Sequence, residues 1–458
     1  MSLLTGYKPG RGRALLSLAA GLLISSSSFA VDLLEVHDQA LQNDPQLAAA
    51  EFRRLAGEEN TPQAWANFLP SANISYDRTY GNTRAIVLPT VDFPADVSNR
   101  NIQFSVRQRL FSYRDFYQIK QAREQAEQAN SDYQVAYQEF LLRVAQRYFD
   151  VLTAIDGVRF AEAEEKALQR QFEQAEQRFE VGLTAVTDVH EARASYDDAR
   201  ARAIVAKNTL SDSYEALREV TGVGYVNLNK LQNEIPLENP DPNDSTEWVT
   251  LALGNNPTLE SNRHIAEAAR HNIRIQRAAN YPELDLVASH SRFRNTERLL
   301  VNDFGEIIGR TTAINRDRSI TFQLRIPIFQ GGATWSRTRQ ARYQHDAALK
   351  DLEQQERLTI RNTENAYRDV IAGIQQVEAR QQALISAQSA LEATQAGFEV
   401  GTRTIVDVLL AEQRFFQAQR DYSQTRHQFI IDHLTLRQAA GVLEGSDMVD
   451  VNRLLTLP

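Results

Sequence analysis

The chain has 458 residues, a formal net charge of −9 and no cysteine. That combination disfavours nucleic-acid binding and leaves no disulfide framework, thiolate metal site or lipidated N-terminal cysteine. Length alone would suit roughly two to four ordinary domains, but the organisation along the chain points elsewhere.

The first thirty residues run from basic (Lys8, Arg11, Arg13) through an apolar stretch, Ala14 to Ile24, to small residues ending Ser28-Phe29-Ala30. That order reads as a secretory signal peptide, 1–30, cut after Ala30. Its removal takes away three basic residues and deepens the charge to −12. Nothing after it approaches the roughly 20 consecutive apolar residues that a spanning helix needs.

Next comes a short helix carrying Ala40-Leu41-Gln42-Asn43-Asp44-Pro45. The same pattern returns as Ala252-Leu253-Gly254-Asn255-Asn256-Pro257, and Pro70 returns as Pro282 at the same offset. Further along, Phe179-Glu180-Val181-Gly182 matches Phe398-Glu399-Val400-Gly401, and Leu217, Arg218 and Gly222 match Leu436, Arg437 and Gly441. Self-similarity at a fixed spacing marks an internal duplication. It divides the chain into a first unit at 31–222, a proline- and asparagine-rich linker at 223–244, a second unit at 245–441 and a tail at 442–458.

After its short helix each unit holds two segments of period-two alternation, at 71–82 and 99–111 and again at 283–295 and 317–329. Ile74, Tyr76 and Tyr80 alternate with polar neighbours, as do Ile102, Phe104 and Val106; Ile320, Phe322, Leu324 and Ile326 give the clearest case. Such alternation predicts strands wet on one face and apolar on the other. About ten residues each also suits tilted transmembrane strands, which need roughly 9 to 11. A soluble sheet is the plainer reading. The export signal, the aromatic residues near the strand ends and the long polar connections (82–99 and 295–317) favour a membrane barrel. Four strands leave two open edges, which a bilayer does not tolerate, so closure has to come from other chains. Two chains would give eight strands filled by side chains, and three would give twelve around a lumen.

A long helical hairpin follows in each unit, at 113–220 and 333–440. No proline occurs between Pro94 and Pro236 or between Pro327 and Pro458, which permits very long helices. Apolar and small residues recur at alternating three and four (Ile119, Ala122, Ala126, Ala129, Tyr133, then Phe140, Val144, Tyr148, Val151), the seam of a coiled coil. Gly182 and Gly401 mark the hairpin turns, with Thr184 or Thr187 available to cap the helix after the first. From helices alone a dimeric rod is an equal reading. The abundance of alanine at the seam leans towards closely packed helical barrels.

Catalytic motifs are missing: no Walker loop, dinucleotide-binding glycine pattern, paired-histidine metalloprotease motif or nucleophile elbow is present. His427 and His433 lie six residues apart, off a common helical face. Most carboxylates along the helices read as a solvated face. No enzyme activity, cofactor or resident metal is expected.

The succession of signal, short helix, strand pair and long hairpin, duplicated once, resembles the TolC family of outer-membrane channels. Its most specific carrier is Gly401-Thr402-Arg403-Thr404-Ile405-Val406-Asp407-Val408, echoed by Gly182-Leu183-Thr184-Ala185-Val186-Thr187-Asp188-Val189. The resemblance implies an α+β membrane protein: a homotrimer with a twelve-stranded barrel in the outer membrane and a periplasmic α-barrel of long hairpins. The linker would then be equatorial and the tips would form the periplasmic mouth. It implies a passive exit duct for drugs or secreted proteins, working with an inner-membrane pump or ABC transporter and a periplasmic adaptor, embedded in outer-membrane lipid and binding no nucleic acid. By motif position Arg403 would link to Thr187 and Asp188, and Asp407 would form an acidic ring at the mouth. Two departures stand out. Phe398 replaces the family's gate tyrosine, and Leu410 occupies the second acidic ring position. A plainer reading places Arg403 and Asp407 in a helix N-terminal turn, with Asp407 favoured by the helix dipole. The alternative for the whole chain is a periplasmic coiled-coil adaptor or scaffold.

Overall fold

A computed structural model of the chain describes residues 31–86, 92–301 and 307–457; the leader at 1–30 lies outside the described residues. The first unit runs α1 (Leu33–Asn43), α2 (Pro45–Glu58), α3 (Asn60–Ala66), β1 (Ser71–Ile86), β2 (Asp92–Ser112), α4 (Tyr113–Glu180) and α5 (Val186–Thr221). A connector carries β3 (Lys230–Leu231). The second unit runs α6 (Ser245–Asn255), α7 (Pro257–Arg277), β4 (Glu283–Val301), β5 (Ile307–Arg325), α8 (Ala333–Glu399) and α9 (Ile405–Ala439), followed by α10 (Gly445–Asn452) and β6 (Leu455–Thr456).

The duplicated Asn-Asp-Pro and Asn-Asn-Pro steps do the same local work in both units. Asp44 accepts hydrogen bonds from the Gln46 and Leu47 amides, and Asn256 from the Thr258 and Leu259 amides. The following proline sits in the first helical turn, where its missing N–H costs nothing. Ser112 caps α4 by accepting from the Asp115 amide. The 68 residues of α4 then extend about 100 Å at ~1.5 Å per residue.

The strands form one antiparallel sheet in the order β1-β2-β4-β5. Within a protomer β1 and β5 are its edges. The apolar side of the sheet is bare: Ile74 is 76% exposed, Ile320 75% and Phe322 69%. The ladders run further than the alternation indicated, out to Ile86 opposite Asp92 and Val301 opposite Ile307. Much of the two polar connections is therefore strand. Backbone pairing continues there, while the sequence stops alternating: Leu299-Leu300-Val301 and Ile307-Ile308 are unbroken apolar runs, and the period-two signal fades. Strand β5 ends at Arg325, short of the expected 329, just before Pro327, which has no N–H for a ladder.

The main core sits where α1, α4 and α9 meet the connector and the tail. Phe140, Leu141, Val144 and Tyr148 of α4 are fully buried there with Leu33, Leu217 and Met448. Each large apolar side chain so buried contributes about 1.5–3 kcal/mol. Tyr148 donates to the Asn229 carbonyl at 2.8 Å, and burial pushes its phenol far above the ordinary range. Around it the Val31 amide donates to the Asn227 carbonyl, the Leu33 amide to Asn452 Oδ1, and the Gln232 amide to the Leu454 carbonyl. Strands β3 and β6 pair, so the tail is a strap across this belt. Gly441 follows α9 at φ +74, with the Asn255 carbonyl oxygen 2.5 Å from where a Cβ would stand.

His427 and His433 are structural. His427 shares a hydrogen bond with Thr153 Oγ1 at 2.8 Å, and burial lowers its imidazole to about 4, so it is neutral at ordinary pH. The ring of His433 meets Phe429 edge-on at 4.8 Å.

Candidate functional site at the hairpin tips

Each tip is a glycine turn. Gly182 (φ +77) and Gly401 (φ +80) adopt the left-handed conformation that glycine tolerates. The Leu183 amide then reaches the Arg178 carbonyl, and the Thr402 amide the Gly397 carbonyl, both at 2.8 Å. These bonds satisfy helix-end carbonyls in Schellman fashion.

The two tips differ in how the next helix starts. Thr404 caps α9 through a complete capping box: its hydroxyl accepts from the Asp407 amide, and Asp407 Oδ2 accepts from the Thr404 amide and hydroxyl at 2.9 Å each. The backbone bond from Thr404, then its hydroxyl, with Arg403 adding attraction, hold the Asp407 carboxyl below the usual carboxylate range. In the first tip neither Thr184 nor Thr187 caps α5. The cap position is Ala185, whose methyl can accept no bond, and the Thr184 hydroxyl donates to the Asp188 carboxylate. Thr187 is exposed.

Arg403 is exposed, and its side chain folds back over its own tip, where Gly397 leaves room: a Cβ there would lie 2.8 Å from Arg403 Cγ. Within the protomer Arg403 pairs with neither Thr187 nor Asp188 among the described residues. Leu410 is 46% exposed. Phe398 is held between the tips: the Arg178 guanidinium stands 4.7 Å from its ring centroid. Phe398 also packs against a cluster built on Leu168, Ala175, Ala192, Ile405 and Leu409, from three helices. Phe398 carries no hydroxyl, and its ring lies under a cation.

Above the tips lie polar joints that the solvated-face reading of the carboxylates missed. Glu164 of α4 is fully buried and accepts from Arg202 of α5 at 2.7 Å and Arg420 of α9 at 2.9 Å. A turn or two nearer the tips, Glu412 of α9 is 3% exposed and accepts from Gln171 of α4 at 3.1 Å and Gln395 of α8 at 3.4 Å. Burial raises the Glu412 carboxyl above its ordinary value. The available signal was positional: Ala161, Leu168 and Ala175 recur every seven residues, and Glu164 and Gln171 stand three after the first two, at seam positions. Arg178 carries the same signal, three after Ala175.

The sequence matches the family model described as outer membrane efflux protein over residues 36–223 and 248–442, once per repeat. It is 38% identical over 436 residues to the outer membrane protein TolC of Vibrio cholerae, covering 95% of this chain and 96% of that one. It is 29% identical to the alkaline protease secretion protein AprF of Pseudomonas aeruginosa, covering 93% and 88% respectively. The outer membrane protein VceC of Vibrio cholerae superposes with a TM-score of 0.72 at 18% identity, over 89% of this chain and 96% of that chain. At that identity it supports the fold alone.

Proposed function

The chain belongs to the outer membrane efflux protein family and is an outer-membrane channel for efflux and type I secretion; from that premise we propose that it works as a homotrimer whose hairpin tips gate the periplasmic mouth. The single observation carrying the trimer is the sheet, which offers two free edges and a bare apolar face within one protomer. A bilayer admits such strands only in a closed barrel, and three copies of a four-stranded sheet enclose a lumen while two leave it filled.

At the mouth three Asp407 carboxylates form an acidic ring that concentrates cations and repels anions. The capping box fixes each carboxylate in place and keeps it ionised, so the field persists into acid. Arg403, which makes no ion pair or hydrogen bond to Thr187 or Asp188 among the described residues of its own protomer, reaches for Thr187 and Asp188 of a neighbouring copy. Phe398 has no hydroxyl for Asp188, which gives Arg403 a larger share of closure, and Leu410 leaves the mouth with one acidic ring. The inner-membrane pump or ABC transporter and a periplasmic adaptor supply energy and docking, since the chain carries no nucleotide motif. The family is one of channels rather than enzymes, and we assign no catalysis to this chain. Membership also sets aside the soluble adaptor reading.

Native mass and planar-bilayer conductance on one purified sample test the proposal. Asp407→Asn is expected to reduce cation selectivity, and Arg403→Ser to raise conductance. A monomer without conductance, or both variants matching wild type, would remove it.

A further inference from the structure

Alternate residues of a strand share a face. On the face that carries Ile74, Phe104, Leu286 and Phe322, the half nearer the helices is apolar and the next layers are basic. Arg78 stands opposite Arg100, Arg100 opposite Arg294, and Arg292 opposite Arg316, while Arg318 faces His290. All six arginines are exposed. None makes an ion pair among the described residues; Arg78 lies 4.5 Å from the Tyr80 ring centroid. Asp77, Asp285 and Asp317 fall on the opposite face by the same alternation, whereas Asp92 and Asp96, opposite Ile86 and Asn82, share the arginines' face further out along β2.

Like charges directly opposed across a ladder repel one another, and no residue directly opposite these arginines is a carboxylate. In a barrel the apolar face turns to lipid, so the basic row does too. Its height is fixed by cost: arginine on a lipid-facing strand is strongly unfavourable at the bilayer midplane and nearly neutral at the interface. The row lies at the end of the apolar band away from the helices, which places it at the headgroups of the outer leaflet. A depression of 540 Å³ straddles the boundary, lined by Phe104, Ala288 and Ile320 on the apolar side and by His290 and Arg318 on the basic side. Guanidinium groups match phosphate oxygens with paired hydrogen bonds.

We propose that the outward face of the barrel carries a site for a phosphorylated lipid headgroup of the outer leaflet, held by Arg292, Arg316 and Arg318 with acyl chains against Phe104, Ala288 and Ile320. The site rests on reading the sheet as part of a closed barrel. It tethers each protomer to the lipid that surrounds it and neutralises a row of charge that is otherwise self-repelling.

The test uses the full-length channel in phosphatidylethanolamine discs containing lipid A, lipid A stripped of its phosphates, or neither, with bound lipid counted by native mass spectrometry. Wild type is expected to retain lipid A through detergent exchange and to release the dephosphorylated form. Combining Arg292→Gln, Arg316→Gln and Arg318→Gln is expected to weaken retention by roughly fivefold per arginine, the factor for one cation at an anionic membrane surface. Arg107→Gln, on the opposite face of the same sheet, should leave retention unchanged. Equal retention of both lipid forms, an unaffected triple variant, or equal loss in Arg107→Gln would overturn the site. Conductance is recorded on each sample: a conducting triple variant shows that lost retention is not lost folding, whereas a wild type that never conducts overturns the barrel reading itself.

Discussion

Arg420→Gln should open the channel about tenfold more often, and Arg202→Gln should not. Both arginines donate to the same buried Glu164, but Arg202 comes from its own hairpin and Arg420 from the other one. Two hydrogen bonds to a charged group contribute ~1.5–3 kcal/mol each when fully shielded. The arginine side chains keep 33% and 30% of their surface in water and can resolvate, so about 1.4 kcal/mol is a fair share for each, or one factor of ten. If the mouth opens by separating the second hairpin from the first, only the Arg420 share enters that equilibrium. Single-channel recording gives open probability, and a circular-dichroism melt of the same preparations gives stability. Comparable melts with a tenfold difference in opening would support the hinge between hairpins. Equal opening in the two variants would refute it, because Glu164 would then be a fixed brace rather than a joint that parts.

Three other outcomes are expected. Gly441→Ala combines a left-handed backbone position, costing a non-glycine residue roughly 1–2 kcal/mol, with a methyl placed on the Asn255 carbonyl; its thermal midpoint should fall, and an unchanged melt would show that the α9 exit shifts freely. The Glu412 carboxyl is raised above its ordinary 4.5 by burial, opposed by the Gln171 and Gln395 amides and Arg170, with Glu164 adding repulsion. Its contribution to the closed seam is therefore complete below about 4.5 and is lost as pH rises through the folded value, so opening should increase with pH in that window, and Glu412→Gln should flatten the profile. Arg178→Gln removes the cation over the half-buried Phe398 ring, a contact of about 1 kcal/mol between the exposed and desolvated limits; conductance should rise modestly, and Phe398→Leu combined with it should add little.

The architecture was legible wherever one physical period dominated. Proline-free stretches with three-four spacing gave α4 and α8; the repeated Asn-Asp-Pro and Asn-Asn-Pro steps marked the duplication but not the breaks they make between α1 and α2 and between α6 and α7. Period-two alternation located the four strands only where one face met lipid. Past Asn82 and Asn295 the residues no longer alternate, and the extended ladder left no mark in the two-residue period. The tips were half legible. Gly182 and Gly401 were plain from the helix break they make, and Asp407 from its place in a helix's first turn, but the Thr184–Asp188 bond beside the uncapped start of α5 was not. Glu164 and Glu412 escaped because a carboxylate at a seam position looks like its solvated neighbours until the arginines and amides of other helices surround it. The tail was opaque for the same reason: α10 and β6 owe their place to partners distant in the chain.

That strap has a practical result. Val31 and Thr456 lie on adjoining threads of one small knot, tied through Asn227, Lys230 and Asn452 at the molecule's waist. A fluorophore or purification handle joined at either point would ride beside the duct, clear of both its openings. Bridging those points with a short linker and cutting the chain at Leu183 would give a permuted gene product with its free ends at one tip.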